Sequence, residues 1–174
     1  MSFSIQSIIR GLLAPKHKIC CSRGLWEKGL KELERRGQAR GESGAFLLGQ
    51  VGEDGCRRVE RFVYYDDLEP HCLDSGIVEL TGSGYGPLWD LCRRTGTTVV
   101  ADIHTHPAGA SQSRIDKANP MIATTGHIAI IVPNYAQGQI QHDLLGVYEY
   151  MGSHQWRGYG GKHVHEFLYI GFWG

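Results

Sequence analysis

The chain has 174 residues, of which 41% are hydrophobic and 21% charged; these values are typical of one soluble globular domain. Its 18 basic and 18 acidic residues leave no formal net charge, so composition gives no support for a nucleic acid or an anionic membrane as partner. The five cysteines form no CxxC pair, which argues against a four-cysteine zinc site and predicts a reduced, cytoplasmic chain.

Residues 1–15 carry apolar side chains at the spacing of an amphipathic helix. The apolar positions are Ile5, Ile8, Ile9, Leu12 and Leu13, which recur at i, i+3, i+4, i+7 and i+8. The segment is too short and too interrupted to span a bilayer, and it lacks the basic start and the cleavage site of a signal peptide. We predict a helix that packs on the rest of the domain, with docking to a partner as the alternative.

The following residues alternate between helical patterns and apolar runs. We predict helices over 25–37 and 85–95, each ended by a glycine, and an acidic loop over 66–74. We predict strands over 45–48, 56–65, 97–103, 127–132, 144–151 and 166–172. The β-branched run at 97–103 should be a buried central strand. Because helices and strands mix without a regular βαβ rhythm, we predict that residues 1–174 form one α+β domain with a mixed β-sheet flanked by helices.

Two histidines at the end of the predicted central strand are the strongest chemical signal. His104 and His106 are separated by one residue, so a strand would place both imidazoles on one face. Asp116 follows ten residues later, in the first turn of a short helix that we expect after Ser113. Catalytic zinc typically takes three protein ligands and leaves a position for water. The sequence therefore predicts a Zn²⁺ site formed by His104, His106 and Asp116.

Two further side chains would complete a hydrolytic site. Glu42 precedes an apolar strand and could face a cleft, where it would take the proton of the attacking water and deliver it to the leaving amine; a solvated charge in a glycine-rich turn is the alternative. Ser113 could donate a hydrogen bond to the developing oxyanion. Ser113-x-x-Asp116 also resembles a helix capping box, and a capped helix would hold Asp116 rigidly for the metal.

These residues resemble the JAMM motif of the JAB1/MPN-domain metalloproteases. The match comprises Glu42 before an apolar strand, His104-Thr105-His106-Pro107, and Ser113-x-x-Asp116. The resemblance spans nearly the whole chain from about Gly24, and its compact loops are similar to the prokaryotic JAB branch. Many relatives carry a proline before Ser113, which this chain lacks. The resemblance implies an MPN-like fold, zinc on the two histidines and Asp116, acid–base work by Glu42 and oxyanion assistance by Ser113.

The resemblance also implies a substrate class. Members of the family are zinc isopeptidases that cleave after the C-terminal glycine of ubiquitin or a ubiquitin-like protein. Some bacterial members accompany conjugation systems in antiphage defence, so a ubiquitin-like protein or its conjugate, and its activating (E1-like) and conjugating (E2-like) enzymes, are the expected partners. The alternatives are a zinc amidohydrolase that acts on a sulfur-carrier adduct or a small-molecule amide, and a non-catalytic scaffold of the same fold.

Other polar residues give weaker signals. His163 and His165 form a second His-x-His pair, but no Ser-x-x-Asp follows, so we expect ordinary surface histidines. His127, at the start of a predicted strand, could support the zinc ligands from behind, although a strand-end histidine is the simpler interpretation. The acidic stretch 66–69 could meet the basic tail of a substrate, although a solvated loop is the simpler interpretation here too.

Overall fold

The computed structural model describes residues 17–172, so the helix predicted over 1–15 lies outside the described residues. Within them, the strands form a single mixed sheet. They are β1 (Ile19–Ser22), β2 (Gly44–Val51), β3 (Arg57–Tyr64), β4 (Thr98–Thr105), β5 (Ile128–Val132), β6 (Gly146–Gly152), β7 (Gln155–Tyr159) and β8 (Leu168–Gly171). Their order across the sheet is β7-β6-β5-β4-β2-β3-β1-β8. β1 lies parallel to β3 and β8, and β4 parallel to β5; the other neighbours are antiparallel.

Helices cover both faces of this sheet. They are α1 (Arg23–Arg36), α2 (Tyr65–Leu68), α3 (Tyr85–Thr95), α4 (Arg114–Ala118) and α5 (Val164–Phe167). Side chains of α1 and α5 share one apolar core with β1, β4 and β5, while α2 and α3 pack with Phe46 and Leu48 in a second core on the opposite face. The predicted α+β class with a mixed sheet is therefore confirmed. None of the helices in the described residues is long and apolar enough to cross a bilayer.

The predicted helices and the central strand lie close to their observed positions, with differences mainly at the ends. The helix predicted over 85–95 is α3, and Gly96 ends it in the left-handed conformation (φ 64°), where its N–H bonds to the carbonyl of Cys92. The strand predicted over 97–103 is β4, which lies between β2 and β5 and is buried from Val100 onward. It continues to Thr105, because the backbone of Thr105 still pairs with β5.

The strand predicted over 45–48 is longer than expected, because Gly49 does not end it. β2 continues to Val51 through an irregularity in its pairing with β3 next to Gly49. A Cβ atom at this position would collide with the backbone carbonyl of Arg58. The glycine therefore permits close approach of two strands, which is one of the structural uses of glycine within a strand.

We expect Gly49→Ala to lower the free energy of unfolding by about 3 kcal/mol, since the colliding atom is backbone and cannot rotate away. Urea unfolding of the metal-free protein would measure the change. Gly86→Ala is the matched control, because a Cβ there meets no atom within 4 Å and alanine favours the helical backbone. Equal stability of Gly49→Ala and the parent protein would contradict the close approach.

The prediction that all cysteines are reduced is wrong for one pair. β1, a four-residue strand that the sequence did not reveal, lies beside β3 and brings Cys20 next to Cys56, with which it forms a disulfide across a Cα–Cα distance of 6.7 Å. Cys21, Cys72 and Cys92 are free and buried. Because disulfides are typical of oxidising compartments, the composition argument for a reducing, cytoplasmic location does not hold.

Candidate metal centre

The two histidines of the predicted motif lie side by side at the end of β4. Both are buried, with 7% and 8% of the residue surface exposed. The Nε2 atoms of His104 and His106 are 3.1 Å apart, as expected for positions i and i+2 on one face of a strand. Thr105, between them, points to the other face and accepts a hydrogen bond from the backbone N–H of Ser43 at 2.9 Å. The backbone N–H of Thr105 in turn donates to the carbonyl of Ser43.

Asp116 reaches this pair from the first turn of α4. The capping box predicted from the sequence is present: Ser113 Oγ accepts from the N–H of Asp116 at 3.1 Å, and the N–H of Ser113 donates to Asp116 Oδ2 at 2.6 Å. The cap fixes the carboxylate with Oδ1 3.7 Å from His104 Nε2 and Oδ2 3.3 Å from His106 Nε2. The structural and the functional interpretations of Ser-x-x-Asp are therefore compatible.

The distances among these three side chains fit one metal ion. Each of His104, His106 and Asp116 offers a ligand atom within 4.8 Å of the others. A tetrahedral zinc ion with bonds of about 2.0–2.2 Å separates its ligand atoms by roughly 3.3–3.5 Å, close to the three separations observed here. Two imidazole nitrogens and a carboxylate are also a donor set that zinc accepts, as in catalytic sites with two histidines and one acid.

The electrostatics of the cluster favour a positive charge at its centre. Burial alone would raise the pKa of the Asp116 carboxyl, but His106, the charge of His104 and the N–H of Ser113 outweigh burial and hold that pKa well below its usual range. Burial would lower the pKa of His104, yet the carboxylates of Asp102, Asp116 and Glu42 raise it overall. A cation placed among these groups would meet the same attraction.

Glu42 and Ser113 face the same cleft as the cluster. A cavity of about 480 Å³ is lined by both residues together with His104 and Asp116. Glu42 is half-buried, and its N–H donates to the carbonyl of Gly76 at 2.9 Å. The hydroxyl oxygen of Ser113 accepts the capping bond, and the same side chain contributes to the lowered pKa of the Asp116 carboxyl. All five predicted site residues are thus brought together, and their chemical roles stay predictions.

The acidic stretch 66–69 is mostly engaged within the protein. The structure places Tyr65–Leu68 in the short helix α2, so the predicted loop begins later than expected. Asp66 and Asp67 both pair with Arg36, and Glu69 accepts hydrogen bonds from Thr81. Arg36 is shared by both aspartates and the donors to Glu69 are uncharged, so these side chains are ordered by internal contacts but keep a net negative charge.

A second and larger cavity, of about 1220 Å³, lies on the other face of the sheet beside α1 and β8. This cavity does not adjoin the metal cluster, so its larger volume does not identify it as the catalytic site. His142 and His165 lie at its edge with their Nδ1 atoms 2.8 Å apart. His163 is exposed on the surface, and neither member of this second His-x-His pair approaches His104.

His142 should make stability depend on pH. Burial, together with the charges of His165 and His17, lowers the pKa of His142 to about 4, below the value of about 6.5 expected in the unfolded chain. The unfolded state therefore binds the proton more readily, so the stabilisation is fully present above about pH 6.5 and is lost as the pH falls towards 4. Because the side chain is only partly buried and solvent screens its charge, we expect a loss of only about 1 kcal/mol.

Urea unfolding of the parent protein and of His142→Gln at pH 7.5 and pH 5.0 would measure this contribution. The parent should lose more stability between the two pH values than the variant does. His163→Gln, a change at an exposed histidine, should keep the pH dependence of the parent. An identical pH dependence in the parent and in His142→Gln would show that His142 does not titrate as described.

Sequence reasoning missed one functional candidate, Asp102, and undervalued another, His127. Asp102 is a carboxylate inside a buried β-branched strand, in phase with His104 and His106. Its Oδ1 atom lies 2.6 Å from His127 Nε2, so the simpler interpretation of His127 as an ordinary strand-end histidine is incomplete. The signal was present in the sequence as a charged residue at i−2 from a predicted ligand, where a strand pattern favours an apolar side chain.

Comparisons with known proteins agree with parts of this description. No family model matches the chain. A segment of 63 residues, 36% of this chain, is 30% identical to the probable metalloprotease y4jG of Sinorhizobium fredii (strain NBRC 101917 / NGR234), and the match covers only 39% of that relative's length.

Two solved structures are similar over most of the chain. The solution structure of protein DSY2949 from Desulfitobacterium hafniense matches with a TM-score of 0.59 and 16% identity, covering 87% of this chain and 92% of the other. A protein from Salinibacter ruber (strain DSM 13855) matches at 0.49 and 21% identity, over 75% and 84% of the two chains. The first likeness supports the fold alone. The chain thus has an α+β fold shared with a solved structure, a His-His-Asp group able to hold a metal ion, and partial similarity to a probable metalloprotease.

Proposed function

We propose that this protein is a zinc-dependent isopeptidase that cleaves after the C-terminal glycine of a ubiquitin-like protein. The observation that carries the proposal is the convergence of His104, His106 and Asp116 at the wall of a cavity that Glu42 and Ser113 also line. The partial similarity to a probable metalloprotease supports metal-dependent hydrolysis. The ubiquitin-like substrate comes from the resemblance of the motif to the JAMM metalloproteases.

Each side chain has a role that its position permits. His104 and His106, through their Nε2 atoms, and Asp116, through its carboxylate, would hold the ion. The chemistry that bound zinc supplies is Lewis acidity towards water and towards the scissile carbonyl. Glu42 would accept a proton from the attacking water and return it to the leaving amine. Ser113 would donate its hydroxyl proton to the oxygen of the carbonyl as negative charge develops there.

Two apolar side chains of the cavity could contact a polypeptide substrate. Ile77 and Ile115 line the cavity, and they are 43% and 64% exposed. An extended substrate segment in the cleft would cover these side chains, whereas a small amide confined to the metal cluster would leave them in water.

Cleavage of a defined fusion would test the proposal. We would incubate the zinc-loaded protein with ubiquitin, and with any ubiquitin-like protein encoded by a neighbouring gene, each extended by a short peptide after its terminal glycine. Release of the extension, identified by mass, should stop with a chelator and resume with added zinc. Hydrolysis of a short amide but of neither fusion would instead indicate an amidohydrolase. A zinc-loaded protein that is inert towards all of these substrates would contradict an enzymatic role.

A further inference from the structure

A buried carboxyl group lies directly behind the candidate metal centre. Asp102 is only 1% exposed, and its neighbours along β4 are apolar core residues. As it precedes His104 by two residues, both side chains lie on the same face of the strand. The face is covered by α2 and its surroundings, and the hydroxyl of Tyr65 donates to Asp102 Oδ2 at 3.5 Å.

His127, the residue that precedes β5, holds the carboxyl group of Asp102 in place. Asp102 Oδ1 and His127 Nε2 are 2.6 Å apart, and His127 is itself buried. The backbone of His127 is fixed on both sides: its N–H donates to the carbonyl of Thr124 at 2.9 Å, and its carbonyl accepts from the N–H of Tyr150 at 2.8 Å. Asp102 is therefore oriented by a rigid partner, which leaves its second oxygen turned towards His104.

The facing atom of His104 has no hydrogen-bond partner. His104 Nδ1 is buried and unpaired, and it lies 3.8 Å from Asp102 Oδ2. That separation exceeds hydrogen-bond length by several tenths of an ångström, so a small rotation of the ring would close it. The other nitrogen of the same ring, Nε2, belongs to the metal cluster. If Nε2 binds a metal, the proton of the neutral ring must be on Nδ1, and its acceptor would be Asp102.

Stability alone does not explain this pair. A buried carboxyl–imidazole pair loses hydration, and replacing such a pair by apolar residues of similar size is often neutral or stabilising. A role at the adjacent site accounts for keeping both residues within an otherwise apolar layer. Carboxylates that accept a hydrogen bond from a metal-bound histidine are a common arrangement in metalloproteins.

We propose that Asp102, held in place by His127, is a positioning residue that fixes the ring orientation and the tautomer of His104 for metal binding. The proposal rests on the metal site of the proposed function, but not on its substrate. It predicts that the affinity for zinc depends on Asp102 and His127, although neither belongs to the His-His-Asp group.

Zinc affinity, measured by competition with a chromophoric chelator, provides a test that needs no enzymatic assay. Asp102→Asn should weaken zinc binding by about 10- to 100-fold, the range typical of changes to such supporting groups. The double variant Asp102→Leu with His127→Leu should weaken it to a similar extent. Urea unfolding of the metal-free double variant should show one cooperative transition, with a loss of about 1–3 kcal/mol because the buried Tyr65 hydroxyl loses its acceptor.

A packing control and a second variant distinguish a positioning role from general damage to the core. Ile130→Val, a mild change in the core on β5, should leave zinc affinity within about twofold of the parent, because its effect is confined to packing. If Asp102→Asn does not fold, His127→Gln provides the same test with Asp102 retained. Parent-like zinc affinity in the folded variants at positions 102 and 127 would overturn the positioning role alone. A parent protein that binds no zinc would overturn the proposed function.

Discussion

Zinc is expected to be lost from the protein when His106 is replaced by alanine, and hydrolysis is expected to be lost with it. His106 contributes one of three ligand atoms that lie within 4.8 Å of one another, and it is buried beside Asp116. Only two protein ligands would remain, and water would take the place of the third. The affinity should therefore fall by more than the roughly 10- to 100-fold expected for a supporting residue.

Metal analysis after gel filtration should find about one zinc ion per parent chain, as expected for a site with one set of three ligands, and essentially none in His106→Ala. The chain offers a matched control in its second His-x-His pair. His165→Ala removes an exposed imidazole that is remote from the cluster, so zinc content and chelator sensitivity should not change. Equal zinc loss in both variants would place the ion elsewhere and contradict the assigned ligands.

Glu42→Gln should separate metal binding from catalysis. Glutamine preserves the size of the side chain but accepts no proton, so kcat should fall by about 10²- to 10⁴-fold, the usual contribution of general acid–base catalysis. Zinc content should match that of the parent, because Glu42 is not one of the three clustered ligands. Rates of cleavage and zinc stoichiometry would be measured on the same preparation.

Glu79 provides the comparison for this variant. It lines the same cavity and is exposed, so Glu79→Gln changes the charge of the cleft by the same amount as Glu42→Gln. We expect its activity to stay within about twofold of the parent, since a solvated charge contributes little. Full activity in Glu42→Gln would show that another group moves the proton, and a large loss in Glu79→Gln would identify that group.

The sequence predicted the local features of this protein well. The full extent of α3 followed from its apolar spacing and from Gly96, and the central position of β4 from its β-branched run. The cluster could be predicted because its three ligands lie within thirteen residues, on one strand and the following short helix. Each of these inferences depends on neighbours in the chain, where periodicity and capping act directly.

Features that depend on distant pairing were not predicted. β1 has four residues and β7 is mostly exposed, so neither shows a clear alternation of apolar and polar residues. The disulfide of Cys20 follows from the parallel pairing of β1 with β3, which no local pattern specifies. The contact between Asp102 and His127 likewise arises from the parallel pairing of β4 with β5, which brings together residues 25 positions apart.

The paired hydrogen bonds between Ser43 and Thr105 hold two parts of the candidate site together. They join the residue after Glu42 to the residue between the two histidines, and the Ser43 hydroxyl also donates to the carbonyl of Leu33 at the end of α1. The backbone that carries Glu42 is thereby joined directly to the strand that carries the two imidazoles. A change in the surrounding loops would leave these hydrogen bonds, and the spacing between Glu42 and the histidines, in place.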